Sequence, residues 1–429
     1  MDTGRQRTER PLALIPELGV YYLIVALYFF AFGMQFALYP ALTAFYLNAT
    51  PEGVGLAQSA LSAPMFCLLL FGGLLAERAR AGITLAWLQF LLGCASIFLA
   101  VVVFNGWLTY EILIAYAVFV GACAAFTMPV RDAALNGVVG REAMLGRHTP
   151  IATAAAATTA VQIGAQIGGI LVVRGGGDSP APYLAGQAVV LFLAAAVSLG
   201  LQAPKPTGHE RTMLGALRDM REGLTYSFRN PVMAPMLISA AYVGVFVIGS
   251  FQVLFPLIVR EAYGGDGDAQ GKQLSALFAC FWGASFVSAV ALSRLKPLRH
   301  PGRALVISHL VGAAVLFTFA VHKPFLTFAL VVALWGLAAG VSISMSRTIT
   351  QGAAEPRFLG RVLAVYSMGF MGGAPIGSAI VGFAASEWGP RTAALIPATG
   401  LALAAVALAV FTPLWRYAPE PHLTGGPDV

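Results

Sequence analysis

The chain has 429 residues, of which 58% are hydrophobic and only 10% charged. A water-soluble domain carries about 25% charged residues, so there is too little charge here to cover a surface facing water. The net charge of +7 suggests nucleic acid as a partner, but where the charges fall excludes that reading.

Apolar runs of roughly 18 or more residues recur along the chain, each long enough to cross a bilayer of about 30 Å. They lie near 19–47, 53–75, 83–104, 108–130, 149–173, 182–203, 232–259, 273–293, 304–321, 324–346, 360–384 and 392–415. The expected fold is an all-α integral membrane protein of twelve transmembrane helices. The basic tail before the first run is not a signal peptide, because the run is too long and no small-residue cleavage site follows.

Segment one contains GMQFALYP at 33–40, a glycine, a glutamine and a proline inside a run meant for lipid. Proline removes a backbone hydrogen bond, and a bare amide in lipid is costly, so these residues need a role. Gln35, Tyr39 and Tyr46 fall near one helical face, at steps of four and seven. Segment two closes on GGLLAERARAG, which places Gly73, Glu77 and Arg78 at its end. Segment four opens on Glu111 in YEILIAY and closes on MPVRDAAL, with Arg131 beside Asp132. Segment five spaces Thr158, Gln162 and Gln166 by four along one face and carries GAQIGG at 164–169.

Residues 204–231 form the longest hydrophilic stretch, dividing a first half, 1–203, from a second, 232–429. Within it LGALRDMREGLTYSF sets apolar residues at helical spacing among mixed charges, the pattern of an amphipathic helix lying on a membrane surface. Segment seven contains GSFQVLFP at 249–256, with Gln252 inside it. Segments eight to ten add Trp282, His309, Trp335 and Ser342; TQGAAEPRFLGRV and GGAPIGSAIVG follow.

The two halves repeat. At a constant offset of 216 residues Gly33 maps to Gly249, Leu38 to Leu254, Pro40 to Pro256, Arg78 to Arg294 and Arg131 to Arg347. At 214, LGR at 145–147 maps to LGR at 359–361, and Gly168 to Gly382. Charge follows the same frame. Twenty-one of the 26 Lys and Arg lie in the N-terminal tail and alternate loops; the opposite loops hold only Arg174, Arg260, Lys272, Lys323 and Arg391. By the positive-inside rule both termini are cytoplasmic, and the basic balance is topology rather than a nucleic-acid patch. The four cysteines stand singly, without metal-ligand spacing, as small core residues.

With these motifs in hand, the chain resembles the major facilitator superfamily of transporters over nearly its whole length. GGLLAERARAG is similar to that family's G-x-x-x-D-R-x-G-R-R loop, but has Glu77 for the aspartate and lacks the later Gly-Arg-Arg. MPVRDAAL, TQGAAEPRFLGRV and GGAPIGSAIVG resemble the branch of bacterial siderophore exporters of the enterobactin-exporter type. GAQIGG resembles the GPxxGG antiporter signature, except that Ala165 replaces the proline. The resemblance implies two pseudo-symmetric six-helix halves with a site near the midplane between them. It also implies a bacterial inner membrane.

On this frame Gln35, Phe36, Tyr39, Tyr46, Thr158, Gln162, Gln166, Gln252, Trp282, Trp335 and Ser342 are candidates for a polar, nearly uncharged cavity. Amides with aromatics suit an amphipathic organic solute rather than an inorganic ion. Gly33, Pro40, Gly249 and Pro256 suit either helices that rock and gate or helix packing alone. Glu77 and Arg131 are candidates for a latch closing the cytoplasmic side. Gly73, Arg78, Arg294, Arg347 and Arg361 occupy related places, with Ser293 where the first half has Glu77. Glu111, Asp132 and His309 are the scarce titratable groups that proton coupling would use; each also has an ordinary structural reading. There is no nucleotide-binding loop, no metal cluster and no cluster of catalytic groups, so neither an ATP-driven pump nor an enzyme is expected, and no cofactor. The expectation is a monomeric secondary transporter exporting a small organic solute. Uptake of a nutrient, peptidoglycan fragment or lysolipid, and facilitated diffusion, stand as alternatives.

Overall fold

The computed structural model describes residues 17–144, 151–173, 178–202, 213–295, 298–355 and 358–418, and all regular structure among them is helical. In chain order the helices are α1 (Glu17–Ala41, continued by a π-helical turn at Leu42–Tyr46), α2 (Pro51–Arg78), α3 (Ala81–Phe104), α4 (Tyr110–Met144), α5 (Ile151–Val172) and α6 (Ala181–Leu199). Then come α7 (Met213–Arg229), α8 (Met233–Val243), a π-helical turn at Gly244–Ile248, α9 (Gly249–Ala262), α10 (Gly267–Arg294) and α11 (Pro301–Thr318). The chain ends with α12 (Phe325–Ala353), α13 (Leu359–Trp388), α14 (Pro390–Ala393) and α15 (Leu395–Phe411).

Eleven of these spans, with α8–α9 and α14–α15 each counted as one, are long and apolar enough to cross a membrane; the two parts of α2, Pro51–Leu69 and Phe71–Arg78, make a twelfth. This is a multi-pass integral membrane protein. Span four runs further than its apolar segment near 108–130, because the polar sequence after Arg131 continues the same helix to Met144. The amphipathic pattern at 214–228 forms α7. The LGR repeat at 145–147 lies outside the described residues.

Packing is dense within each set of six spans. In the first, α2 packs on α4, α3 on α6, and α1 on α5 and α6; in the second, α10 and α11 pack on α12, and α13 on α8 and α9. Gly33 and Gly249, the repeat-related glycines, make these contacts. A Cβ at Gly33 would overlap the backbone carbonyl oxygen of Gln166 on α5. One at Gly249 would come within 2.6 Å of the Ala374 oxygen and the Ser378 nitrogen on α13. Both therefore sit at close helix–helix contacts inside one set. Gly73 has open space around it, with nothing within 4 Å of such a Cβ.

The spans that open each set are both locally unwound, at different places. In span one the π turn at Leu42–Tyr46 follows Pro40, whose missing N–H already breaks the hydrogen-bond ladder. In span seven the π turn at Gly244–Ile248 precedes Gly249, well before Pro256. The sequence repeat thus carries the prolines but not the π turns.

Candidate functional site

The two sets meet most closely at the end where α1 finishes and α2 begins. There α2 lies along α13, and α5 meets α10. Just inside this end is a cavity of about 40 Å³ lined by Phe32, Gln35, Phe36, Tyr39, Pro40, Gln58, Leu61 and Gln252. Gln35 comes from α1, Gln58 from α2 and Gln252 from α9, so both sets build the wall. No carboxylate, lysine, arginine or histidine is among the lining residues.

The amides are unevenly satisfied. Gln35 Oε1 accepts from the Tyr116 hydroxyl at 2.7 Å and from Gln187 Nε2 at 3.0 Å. Gln187 Nε2 also donates to the Ala31 carbonyl at 3.1 Å. These bonds fix the Gln35 side chain while its Nε2 stays buried without a partner. Gln58 is 1% exposed, and neither its Oε1 nor its Nε2 has a hydrogen-bond partner. A buried unpaired amide costs about 1–3 kcal/mol, so the unpaired ends of these two cavity-lining glutamines do not serve stability. Trp282 Nε1 is likewise buried and unpartnered.

The cavity-lining Phe36 packs against aromatic rings of the second set. Phe36 reaches across from α1 to Phe278, Phe251 and Trp282, with ring centroids 5.0, 5.7 and 6.0 Å away. Beyond the rings, the joint is clasped by polar contacts to main chain. Arg260, at the end of α9, donates from Nη1 to the Ala44 and Ala49 carbonyls at 3.0 and 2.7 Å. Ala44 lies in the π turn ending span one, so Arg260 supplies a cation to carbonyls at a helix C-terminus. Asp178, just before α6, does the converse. Its carboxylate accepts from the Gly267 and Asp268 amides, at 3.0 and 3.2 Å, at the N-terminus of α10. Ser275 adds a bond to the Val173 carbonyl at 2.8 Å, and Ser59 one to the Pro375 carbonyl at 2.7 Å.

Of the candidates from sequence, Gln35, Phe36, Tyr39, Pro40 and Gln252 line the cavity and Trp282 borders its aromatic wall. Tyr39 also donates to the Ala57 carbonyl at 2.8 Å. Six candidates, Tyr46, Thr158, Gln162, Gln166, Trp335 and Ser342, are not among the lining residues. Tyr46 turns to the Val103 carbonyl, 3.4 Å away, because the π turn at Leu42–Tyr46 breaks the spacing that put it on the face of Gln35. Trp335 is 2% exposed inside a nest of Phe251, Phe255, Phe281 and Phe319, the core of the second set. Ser342 bonds His309 Nε2 at 2.8 Å, while Tyr242 bonds His309 Nδ1 at 2.6 Å, leaving the histidine fully partnered away from the cavity. Thr158 is buried with its hydroxyl donated to Ala154 at 2.8 Å; Gln166 is buried where α5 meets Gly33, and Gln162 is half-buried.

At the opposite, basic end, Arg131 pairs with Asp132 at 2.7 Å and stacks on Phe29 at 5.0 Å, so it is not bonded to Glu77. Its Nη1 is buried without a partner. Glu77 is half-buried; Arg78, Arg294 and Arg347 are exposed, as is Glu111 at the far end of α4. Arg361 is engaged by α7, through Asp219 and Glu222, each at 2.7 Å. Sequence reasoning missed Gln58, Gln187, Asp178 and Arg260 as site residues. Gln58 was legible: it is a bare amide in an apolar run, as Gln35 is.

Comparison with known proteins follows this geometry. The family model described as "Transmembrane secretion effector" matches residues 42–419. No curated protein matches. Among solved structures, the nucleoside transporter NupG is 14% identical over 94% of this chain and 100% of its own, with a TM-score of 0.70. A bacterial homologue of the human lysosomal transporter Spinster, in an inward-facing and occupied conformation, is 14% identical over 94% and 98%, with a TM-score of 0.68. A POT family transporter in complex with 5-aminolevulinic acid is 12% identical over 92% and 96%, with a TM-score of 0.69. At such identities the likeness is one of fold.

Proposed function

The chain belongs to the transmembrane secretion effector family, a transporter family of the major facilitator type, and on that premise we propose that it exports a small, uncharged, amphipathic organic solute by alternating access. The carrying observation is the cavity between the two sets of spans, where Gln35, Gln58 and Gln252 present amides, two of them with unpaired atoms, beside the Phe36–Trp282 wall. Amides select neutral donors and acceptors, and rings select flat apolar surface. A drug-sized solute needs about 300–1,000 Å³, so the cavity is the closed tip of a site that widens when the sets part.

The basic end is the cytoplasmic one on the positive-inside rule. The clasps of Arg260 and Asp178 then lie on the outer face, and this conformation is closed outward. Transport follows from exchanging outer clasps for an inner one. When the outer end opens, the inner ends approach, and the unpaired Nη1 of Arg131, in the first set with Glu77, offers a donor to the second set there. The proposal places the protein in a bacterial inner membrane with both termini inside. The cargo site itself is uncharged; proton coupling would act through Asp132, Glu111 or His309, none of which lines the cavity.

The test compares small molecules inside and outside cells that lack or overproduce the protein, with Gln58→Leu as the control. Export is established by a compound retained in the deletion strain, released on overproduction, and not released by the variant. A compound left in the medium by the deletion strain reverses the direction and supports uptake.

A further inference from the structure

α7 has three faces, of which one packs on α13. Helical spacing of about 100° per residue puts Asp219, Gly223, Tyr226 and Ser227 on the side facing α13. Arg361 bonds Asp219 and Glu222 there. The Tyr226 ring stacks on Phe358 at 4.4 Å, and a Cβ at Gly223 would lie 2.9 Å from Arg361 Cβ. A second face, a sector of about 40°, holds Leu217, Leu224 and Phe228. These are 40%, 42% and 57% exposed although they are the most apolar residues there. The third face continues from it over about the next 100° with Arg221, Arg218 and Arg229, all exposed, Arg218 also pairing with Glu222 at 3.1 Å.

The height of this helix is fixed by the chain. α8, the start of a membrane span, begins at Met233, four residues after α7 ends at Arg229. Asn230 accepts from the Val232 and Met233 amides at 2.9 and 3.1 Å, which makes the turn rigid. An apolar stripe held at the level where a span begins, with arginines along one flank, matches the boundary between acyl chains and headgroups.

We propose that the Leu217–Leu224–Phe228 face of α7 docks on the bilayer and that Arg218, Arg221 and Arg229 bind anionic lipid headgroups beside it. The Arg361 clasp then ties this lipid contact to α13, the helix that forms the joint with α2. The charge of the leaflet thereby acts on the same helix that opens and closes the transporter.

The full-length protein, with Cys67, Cys94, Cys123 and Cys280 replaced by alanine, carries an environment-sensitive fluorophore on Phe228→Cys or Leu224→Cys. It is reconstituted into vesicles of phosphatidylcholine alone or mixed with phosphatidylglycerol. Both positions are exposed, so labelling leaves the fold intact; elution as a single peak in detergent checks this. The expected result is quenching by lipid-borne quenchers and protection from aqueous iodide. Protection rises at least about fivefold with phosphatidylglycerol, the contribution of one arginine near an anionic surface. Replacing Arg218, Arg221 and Arg229 together by glutamine removes that rise. Iodide quenching equal to that in detergent, in both vesicles, overturns the docking. Protection that ignores phosphatidylglycerol, or that the triple variant retains, overturns the anionic-lipid part.

Discussion

Arg260→Ala tests the outer clasp directly. The guanidinium makes two hydrogen bonds, to the Ala44 and Ala49 carbonyls, and both are lost together. Hydrogen bonds to a charged group contribute about 1.5–3 kcal/mol each when buried. Arg260 is only half-buried and one nitrogen makes both bonds, so about 2 kcal/mol for the pair is the working figure. The contacts join α9 to the first set of spans, so on the proposed orientation their loss destabilises the outward-closed conformation. Every 1.4 kcal/mol is tenfold in an equilibrium, and the ratio of outward-open to outward-closed protein rises about 30-fold. Spin labels on Glu52→Cys and Glu387→Cys, exposed near the outer ends of α2 and α13, report the separation by double electron–electron resonance. The variant should gain a longer-distance population, and Asp178→Asn, which weakens the cap on α10, should add to it. An unchanged distance distribution in folded Arg260→Ala protein refutes the clasp.

Three further outcomes follow from the geometry. Gln58→Leu removes a buried amide that nothing pairs, so the protein should gain about 1–3 kcal/mol in thermal unfolding while transport falls; a loss of stability would mean that the amide is structural. Gly33→Ala forces a methyl group into the Gln166 backbone and should cost about 1–3 kcal/mol, seen as a lower melting temperature, whereas Gly73→Ala should cost nothing because its side is open. Ser342→Ala leaves His309 Nε2 unpaired and should lower stability by about 1–3 kcal/mol without altering cargo selectivity, since neither residue lines the cavity.

Spans were the most legible part of the sequence, because a bilayer imposes one length and one composition on every crossing. Residue faces were less legible, because they depend on an unbroken helical period. Gln35 and Tyr39 kept their face, being on the α-helical part of span one, and Tyr46 lost it in the π turn. Trp335 and Ser342 were misplaced for a different reason: a large ring or a hydroxyl in an apolar run fits a cavity and a helix–helix contact equally well. Only tertiary packing decides, and it gave Trp335 to its phenylalanine nest and Ser342 to His309.

The outer clasp was hidden by the rule that gave the topology. Counting cations by loop treats the five on the sparse side as exceptions to a tally. Yet three of those five have partners in the structure. Arg260 has the Ala44 and Ala49 carbonyls; Lys323 has the Thr318 and Val321 carbonyls; Arg391 lies 3.5 Å from Glu261 and 2.8 Å from His322 Nδ1. Of these three, Arg260 alone joins the first spans to the last, and it does so at an offset of 216 residues, the repeat length itself. Ala44 and Arg260 are thus matched positions of the 216-residue sequence repeat, and their contact bridges the two sets. A bond between the sets is lost when one set moves away from the other, which is why one guanidinium can weigh on the whole equilibrium.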